Sequence, residues 1–377
     1  MEKVFLEECC DILDSMRVPI TEKDRKDGPY PYYGANGIQD HVAEYIFDDE
    51  LVLLAEDGGN FGSKERPIAY RISGKCWVNN HAHVLKPKGW IDVDYLCYSL
   101  MFYDTDGLVN GATRQKLTQA AMRKMIIPKR SMEEQLDIVQ RLNAVRSIKK
   151  QRIEELQKLD ELIKARFVEM FGNPELNPME WPVEALGDVL SVEPQNGLYK
   201  PQSDYVQDGT GIPILRIDAF YDGKVTDFSV LKRLNCTDAE RSRYLLMEND
   251  IVINRVNSLE YLGKCAWITG LIEPTVFESN MMRFHVEESR IDPCYMTRLL
   301  CSTYIYKQIL NRTKKAVNQA SINQGDVQSF KILVPPVGLQ KQYAAFVAQV
   351  DKSKVAVQQA LDKTRVLFDS QMQEYFG

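Results

Sequence analysis

The chain has no run of eighteen apolar residues, no CxxC pair and only four histidines in 377 residues. The first absence removes an ordinary membrane-spanning helix. The second removes the common zinc and dithiol motifs and leaves eight scattered cysteines, with Cys9 and Cys10 adjacent, as reduced core thiols. The third limits metal chemistry. His81 and His83 fall on one face of a strand, but only His41 and His285 remain besides, so a metal there would need a carboxylate ligand; none is expected.

Catalytic motifs are missing as well. No GxGxxG or GK[ST] occurs, and "DGGNFGSK", Asp57 to Lys64, orders glycine, serine and lysine wrongly for holding a terminal phosphate. "VPPV", Val334 to Val337, lacks the preceding Asn or Asp and the following aromatic of an amino-methyltransferase motif. There is no GxSxG turn and no PD…ExK cluster. No catalytic residue is expected. The start "MEKVFLEECCDILD" is acidic where a secretory signal is basic and then apolar, which predicts a cytoplasmic protein.

What is present is an internal repeat. At a fixed offset of 205, Leu117 falls on Ile322, Gln119 on Gln324, Ile127 on Ile332, Gln135 on Gln340, Lys149 on Lys354 and Leu162 on Leu367, and "EMFG" falls on "EYFG". One unit used twice is a smaller fold problem than one chain of this length. Ile138, Leu142, Val145, Leu156, Leu159, Ile163 and Met170 lie opposite Tyr343, Val347, Val350, Leu361, Thr364, Phe368 and Tyr375, in heptad steps of three and four. From Ser131, capped by Glu134, no Gly or Pro interrupts the chain until Gly172. About 35 residues of such a helix span roughly 50 Å and need a partner of similar length, which only the repeat supplies.

The direction of that partner follows from the linker. "NPELNPME" ends the first helix and leads at once into the second globular region, so the second helix returns antiparallel. Lys149 and Lys354 occupy seam positions, where a polar residue costs stability and can fix register. The globular stretches read as strand-rich, with "ELVLLAEDGG" matching "NDIVINRVNS", and Asn80 matching Asn280 at a strand end. The fold expected is α/β: two globules of mixed strands and short helices, joined by an antiparallel intramolecular coiled coil with pseudo-twofold symmetry.

The net charge of −6 argues mildly against a nucleic-acid partner, but its distribution argues the other way. Gly111 to Arg130 carries six basic residues and no acid, and Arg298 to Gly325 carries five and no acid, each just before a heptad stretch. "YPYYGANGIQDH" adds tyrosines beside Gly34, Asn36 and Gly37, and Asn, Gln, Arg and Lys are the side chains that pair with base edges.

These segments resemble the specificity subunit of type I restriction-modification systems. "PYYGANGI", "LLAEDGGNFG", "GKCWVNNHAHVLKP" and "RQKLTQAAMRKMIIP", with a Gln135-bearing helix ending "MFGNP", resemble its first target-recognition domain and central helix. "WPVEALGDV", "IPILRIDAF", "NDIVINR" and "QASINQGDVQSFKILVPP" resemble the second. The resemblance implies recognition domains at 1–130 and 173–335, the latter with its linker, and conserved helices at 131–172 and 336–377. It implies a non-catalytic chain that reads a bipartite site in double-stranded DNA, with the helices as spacer. The implied partners are two adenine-N6 methyltransferase subunits and helicase-nuclease restriction subunits. S-adenosylmethionine, ATP and Mg then belong to those partners and no cofactor to this chain. A coiled-coil assembly scaffold without DNA reading is the competing expectation.

By residue type and matching position, DNA contacts are expected at Tyr32, Tyr33, Asn36, Asn60, Asn80, His81, Arg114, Gln115 and Lys116. The second half contributes Asn196, Tyr199, Lys200, Arg216, Arg255, Asn257, Asn280, Lys314, Lys315, Asn318 and Gln319.

Overall fold

The computed structural model describes residues 2–111, 114–315 and 319–377. It divides into two compact units, Met1–Glu155 with Val357–Gly377, and Leu156–Ala356. Both units are interleaved in sequence because two forty-residue helices, Met132–Phe171 and Val337–Phe376, contribute to each. Ser131 and Glu134 cap the first helix reciprocally, with the Ser131 amide on the carboxylate at 2.8 Å and the Glu134 amide on Oγ at 3.3 Å. Gly172 ends it at φ +78°, and a Cβ there would lie 2.6 Å from Pro178.

In the first unit, Ile138, Val139, Leu142 and Val145 from the start of the first helix share a core with Phe368 from the end of the second. In the second unit, Ile163, Phe167 and Phe171 from the end of the first helix share a core with Tyr343, Val347 and Val350 from the start of the second. Start meets end both times, so the helices run antiparallel. The seam lysine Lys354 is ion-paired to Asp160.

Each unit is built around a six-stranded sheet. In the first the order is Cys10–Ile12, Ala82–Pro87, Phe47–Ala55, Ala69–Val78, Tyr30–Gly34 and Gly37–Val42. In the second it is Leu190–Asn196, Met281–Val286, Ile251–Asn254, Cys265–Trp267, Gly223–Val225 and Phe220–Tyr221. Among the described residues the second unit adds a four-stranded sheet around Ile212–Leu215 that the first does not have.

The repeat holds at the level of single hydrogen bonds. The Gln135 amide oxygen accepts from the Asp92 backbone at 2.8 Å, and that of Gln340 accepts from Asp292 at 2.8 Å. Asp92 and Asp292 each cap the short helix that follows, Val93–Met101 and Pro293–Leu300. The Tyr95 hydroxyl donates to the Pro128 carbonyl at 2.9 Å and that of Tyr295 to Leu333 at 3.0 Å. Both tyrosines are buried, so each hydroxyl needs such an acceptor.

A candidate nucleic-acid interface built twice

In the first unit, the central strand Phe47–Ala55 runs into Glu56, Asp57 and Gly58. Gly58 sits at φ +64°, a conformation that glycine adopts without strain. The Glu56 amide donates to the His81 carbonyl at 2.9 Å, and the Glu56 carbonyl accepts from Leu117 at 2.7 Å. The turn is thereby tied to the hairpin Val109–Asn110 and Lys116–Leu117, which carries the basic residues. Asp57 Oδ1 accepts from Arg114 at 2.7 Å and contacts His81 Nδ1 at 2.6 Å. Lys116 Nζ lies 3.0 Å from Glu56, and the Asn36 amide donates to the Gly58 carbonyl at 3.0 Å.

Asn36, His81, Arg114, Gln115 and Lys116 therefore converge on one turn. Arg114 stays 60% exposed and Lys116 49%, so both heads remain available to a partner while a carboxylate holds their direction. Burial works to raise the Glu56 carboxyl, but hydrogen bonds from Arg17 and Lys116 bring it below the usual range. The segment that carries no acid in sequence meets two acids in space.

The second unit repeats the same wiring. The Arg255 amide donates to the Asn280 carbonyl at 2.8 Å, and the Arg255 carbonyl accepts from Ile322 at 3.0 Å. Glu56 thus corresponds to Arg255 and His81 to Asn280, both pairs 199 apart. The expected match of Asn80 with Asn280 is corrected by one residue. A three-stranded sheet places Val256–Asn257 beside Ala320–Ser321, which pairs in turn with Lys314–Lys315. The Arg255 guanidinium donates to the Ser279 carbonyl at 3.0 Å, and the Ser279 amide to Leu198 at 3.0 Å, which draws Asn196 and Tyr199 to the same turn. A Cβ on Gly197 would lie 2.2 Å from the Glu278 carbonyl, so glycine permits this approach.

Two globules with one loop wiring match a known family along nearly the whole chain. Residues 1–158 and 178–364 fit the model of the type I restriction modification DNA specificity domain. The chain belongs to that family. A putative type I restriction enzyme specificity subunit of Haemophilus influenzae is 36% identical over 143 residues, 38% of this chain and 37% of that one. The putative MjaX specificity subunit of Methanocaldococcus jannaschii is 34% identical over 179 residues, 46% of this chain and 40% of that one, so the matched part is under half of either relative. The EcoKI specificity subunit of Escherichia coli is 23% identical over 322 residues, covering 80% of this chain and 67% of that one. The crystal structure of a type I restriction-modification S subunit from M. genitalium shares the fold at TM-score 0.60 and 14% identity, over 100% of this chain and 96% of that one.

Within this specificity family chain, several expected contacts have other employment. Tyr32 is 1% exposed, lies under the Arg25 guanidinium and shares its hydroxyl with Ile20, so it packs as a core residue rather than standing on the surface as expected. Tyr33 is half-buried against Tyr70. Lys200 is held between Asp204 at 3.3 Å and Glu240 at 3.0 Å with its side chain 14% exposed, which cancels its charge toward phosphate. Arg216 leans on the Tyr205 hydroxyl at 3.0 Å and lies 3.6 Å from Glu278. Asn60 is half-buried beyond the turn, while Asn80 is exposed beside it. Asn318 lies outside the described residues, as does the Lys315 side chain.

Sequence reasoning missed Glu56 and Asp57, because an acid beside a basic segment attracts no notice until its basic partners are seen. It also missed Asn79, which is buried, donates to Gln39 at 2.9 Å and accepts from the His81 amide at 2.8 Å. Asp14, Glu56 and His83 could face a metal within 4.8 Å of one another, but Arg17 and Lys116 already neutralise Glu56 and a backbone carbonyl takes the second histidine nitrogen. Cations crowd that position, so no metal is assigned there. Among the described residues no helix is long and apolar enough to cross a membrane.

Proposed function

We propose that this chain is the non-catalytic DNA specificity subunit of a type I restriction-modification complex, working in the cytoplasm. Each unit reads one half of a bipartite duplex site through its polar turn and basic hairpin, and the long helices set the spacing and dock two adenine-N6 methyltransferase subunits. Helicase-nuclease subunits join for cleavage, and S-adenosylmethionine, ATP and Mg reside in the partners. The observation that carries the reading is the duplication of one turn-hairpin wiring, with exposed Arg, Lys, Asn and Gln, in a chain of the specificity family. A scaffold has no need to repeat polar loop wiring while varying its side chains, as at Glu56 and Arg255.

Reading residues on the first unit are then Asn36, His81, Arg114, Gln115 and Lys116, with Asn80 at the edge. On the second they are Asn196, Tyr199, Arg255, Asn257, Asn280, Lys314 and Gln319. The test is to exchange residues 1–130 for those of a related subunit and map N6-methyladenine in the genome of cells that also express the methyltransferase. One half of the methylated sequence should change and the other stay; an unaltered pattern refutes the reading.

A further inference from the structure

We infer that His83 is a positioning residue for the DNA-facing hairpin of the first unit, donating from both ring nitrogens to hold Lys116 and Arg114 in place. The inference rests on the specificity reading for its function, though its geometry is independent of it. His83 has no exposed side-chain surface. Its Nε2 lies 2.9 Å from the Leu117 carbonyl, in the hairpin itself, and its Nδ1 lies 2.6 Å from Asp14 Oδ2. Both neighbours are acceptors, and a ring with a single N–H satisfies only one of them. The geometry therefore calls for a donor at each nitrogen, one toward the Asp14 carboxylate and one toward a strand carbonyl.

The groups around the ring agree with this. Asp14 Oδ1 accepts from the Val84 amide at 2.9 Å, and Oδ2 also accepts from the Gln119 amide at 3.0 Å. Glu56 lies 3.7 Å from the ring and takes Arg17 at 2.7 Å and Lys116 at 3.0 Å. Two carboxylates thus face three basic groups, and Lys116 is the one that projects to the surface. Burial acts to raise the Asp14 carboxyl, but the His83 hydrogen bond and its charge bring it below the usual range. Strand pairing sets His83 opposite Leu54 and Met282 opposite Ile253, so the second unit carries a buried methionine at the equivalent place. The device belongs to one half of the molecule only.

The experiment compares the full chain, assembled with its methylating partner, with H83Q, which keeps one donor nitrogen and puts an acceptor oxygen in place of the other, and D14N/H83Q, which gives the glutamine oxygen an amide donor in place of a carboxylate. H83M, the residue the second unit accepts, replaces H83Q if the latter does not fold. Amide hydrogen exchange over Arg114–Gln119 should accelerate at least about tenfold in H83Q or H83M, with Phe47–Ala55 unchanged, and return toward wild type in D14N/H83Q. Affinity for a random-sequence duplex should fall about fivefold and the salt slope by about one in the single variants. Wild-type exchange in the single variant that folds, or a double variant no better than that single variant, overturns the role of His83. A wild-type complex that binds duplex without salt dependence instead overturns the specificity reading, and the exchange data still decide His83.

Discussion

At the scale of residues, the turn at Glu56 to Gly58 gathers two acids and two basic side chains, and its proposed partner is a polyanion. Asp57 takes one guanidinium N–H of Arg114 and leaves most of the head exposed, which costs net attraction but removes rotamer freedom before binding. R114A should weaken duplex binding and lower the slope of log affinity against log salt by about one, read in a salt titration. Glu56 gives a pH prediction. Its folded carboxyl lies below the ordinary value, so its stabilisation is present above about pH 4.5 and is lost as pH falls through the folded value. E56Q should melt earlier than wild type near neutral pH, and the gap should close under acid conditions in thermal scans. A constant gap at all pH values would show that the Arg17 and Lys116 contacts contribute nothing.

At the scale of elements, the long helices are secured at both ends by the same residues. Phe171 meets Tyr295 edge-to-face with centroids 4.7 Å apart, and its repeat Phe376 meets Tyr95 at 5.3 Å. Phe171 is buried and Phe376 only partly, so the two substitutions should differ. F171A should destabilise the second unit by about 3–5 kcal/mol and F376A the first unit by less, as measured by denaturant unfolding. Gln135 and Gln340 are both 0% exposed and each makes three hydrogen bonds to backbone. Loss of either leaves buried backbone groups unpaired, and Q135A and Q340A should each cost about 2–3 kcal/mol. Unequal costs would mean that the wiring is shared but its energetics are not.

At the scale of the whole molecule, the proposed spacer role makes a geometric prediction. Seven residues inserted into each long helix keep the heptad seam and add about 10 Å, close to three base pairs of duplex. The methylated site should keep both halves and lengthen its unspecified gap by that amount, read by N6-methyladenine mapping. An unchanged gap would remove the helices as the measuring element.

The sequence by itself determined the duplication, the two long helices and their antiparallel sense. Those follow from periodicity, from the absence of Gly and Pro between Ser131 and Gly172, and from a linker too short to return the chain. It also marked the two basic segments and the loop containing Asn36. It did not reveal that Tyr32 is core, that Lys200 is held by Glu240 as well as by its neighbour Asp204, or that Glu56 and Asp57 pair with Arg17, Lys116 and Arg114, because burial and long-range partners exist only in the packed chain. Glu56 meets Arg17 and Lys116, thirty-nine positions before it and sixty after, and no local pattern encodes such a meeting. Local order is written in spacing, which a sequence displays directly; the pairing of charges across strands exists only once tertiary packing has set the register.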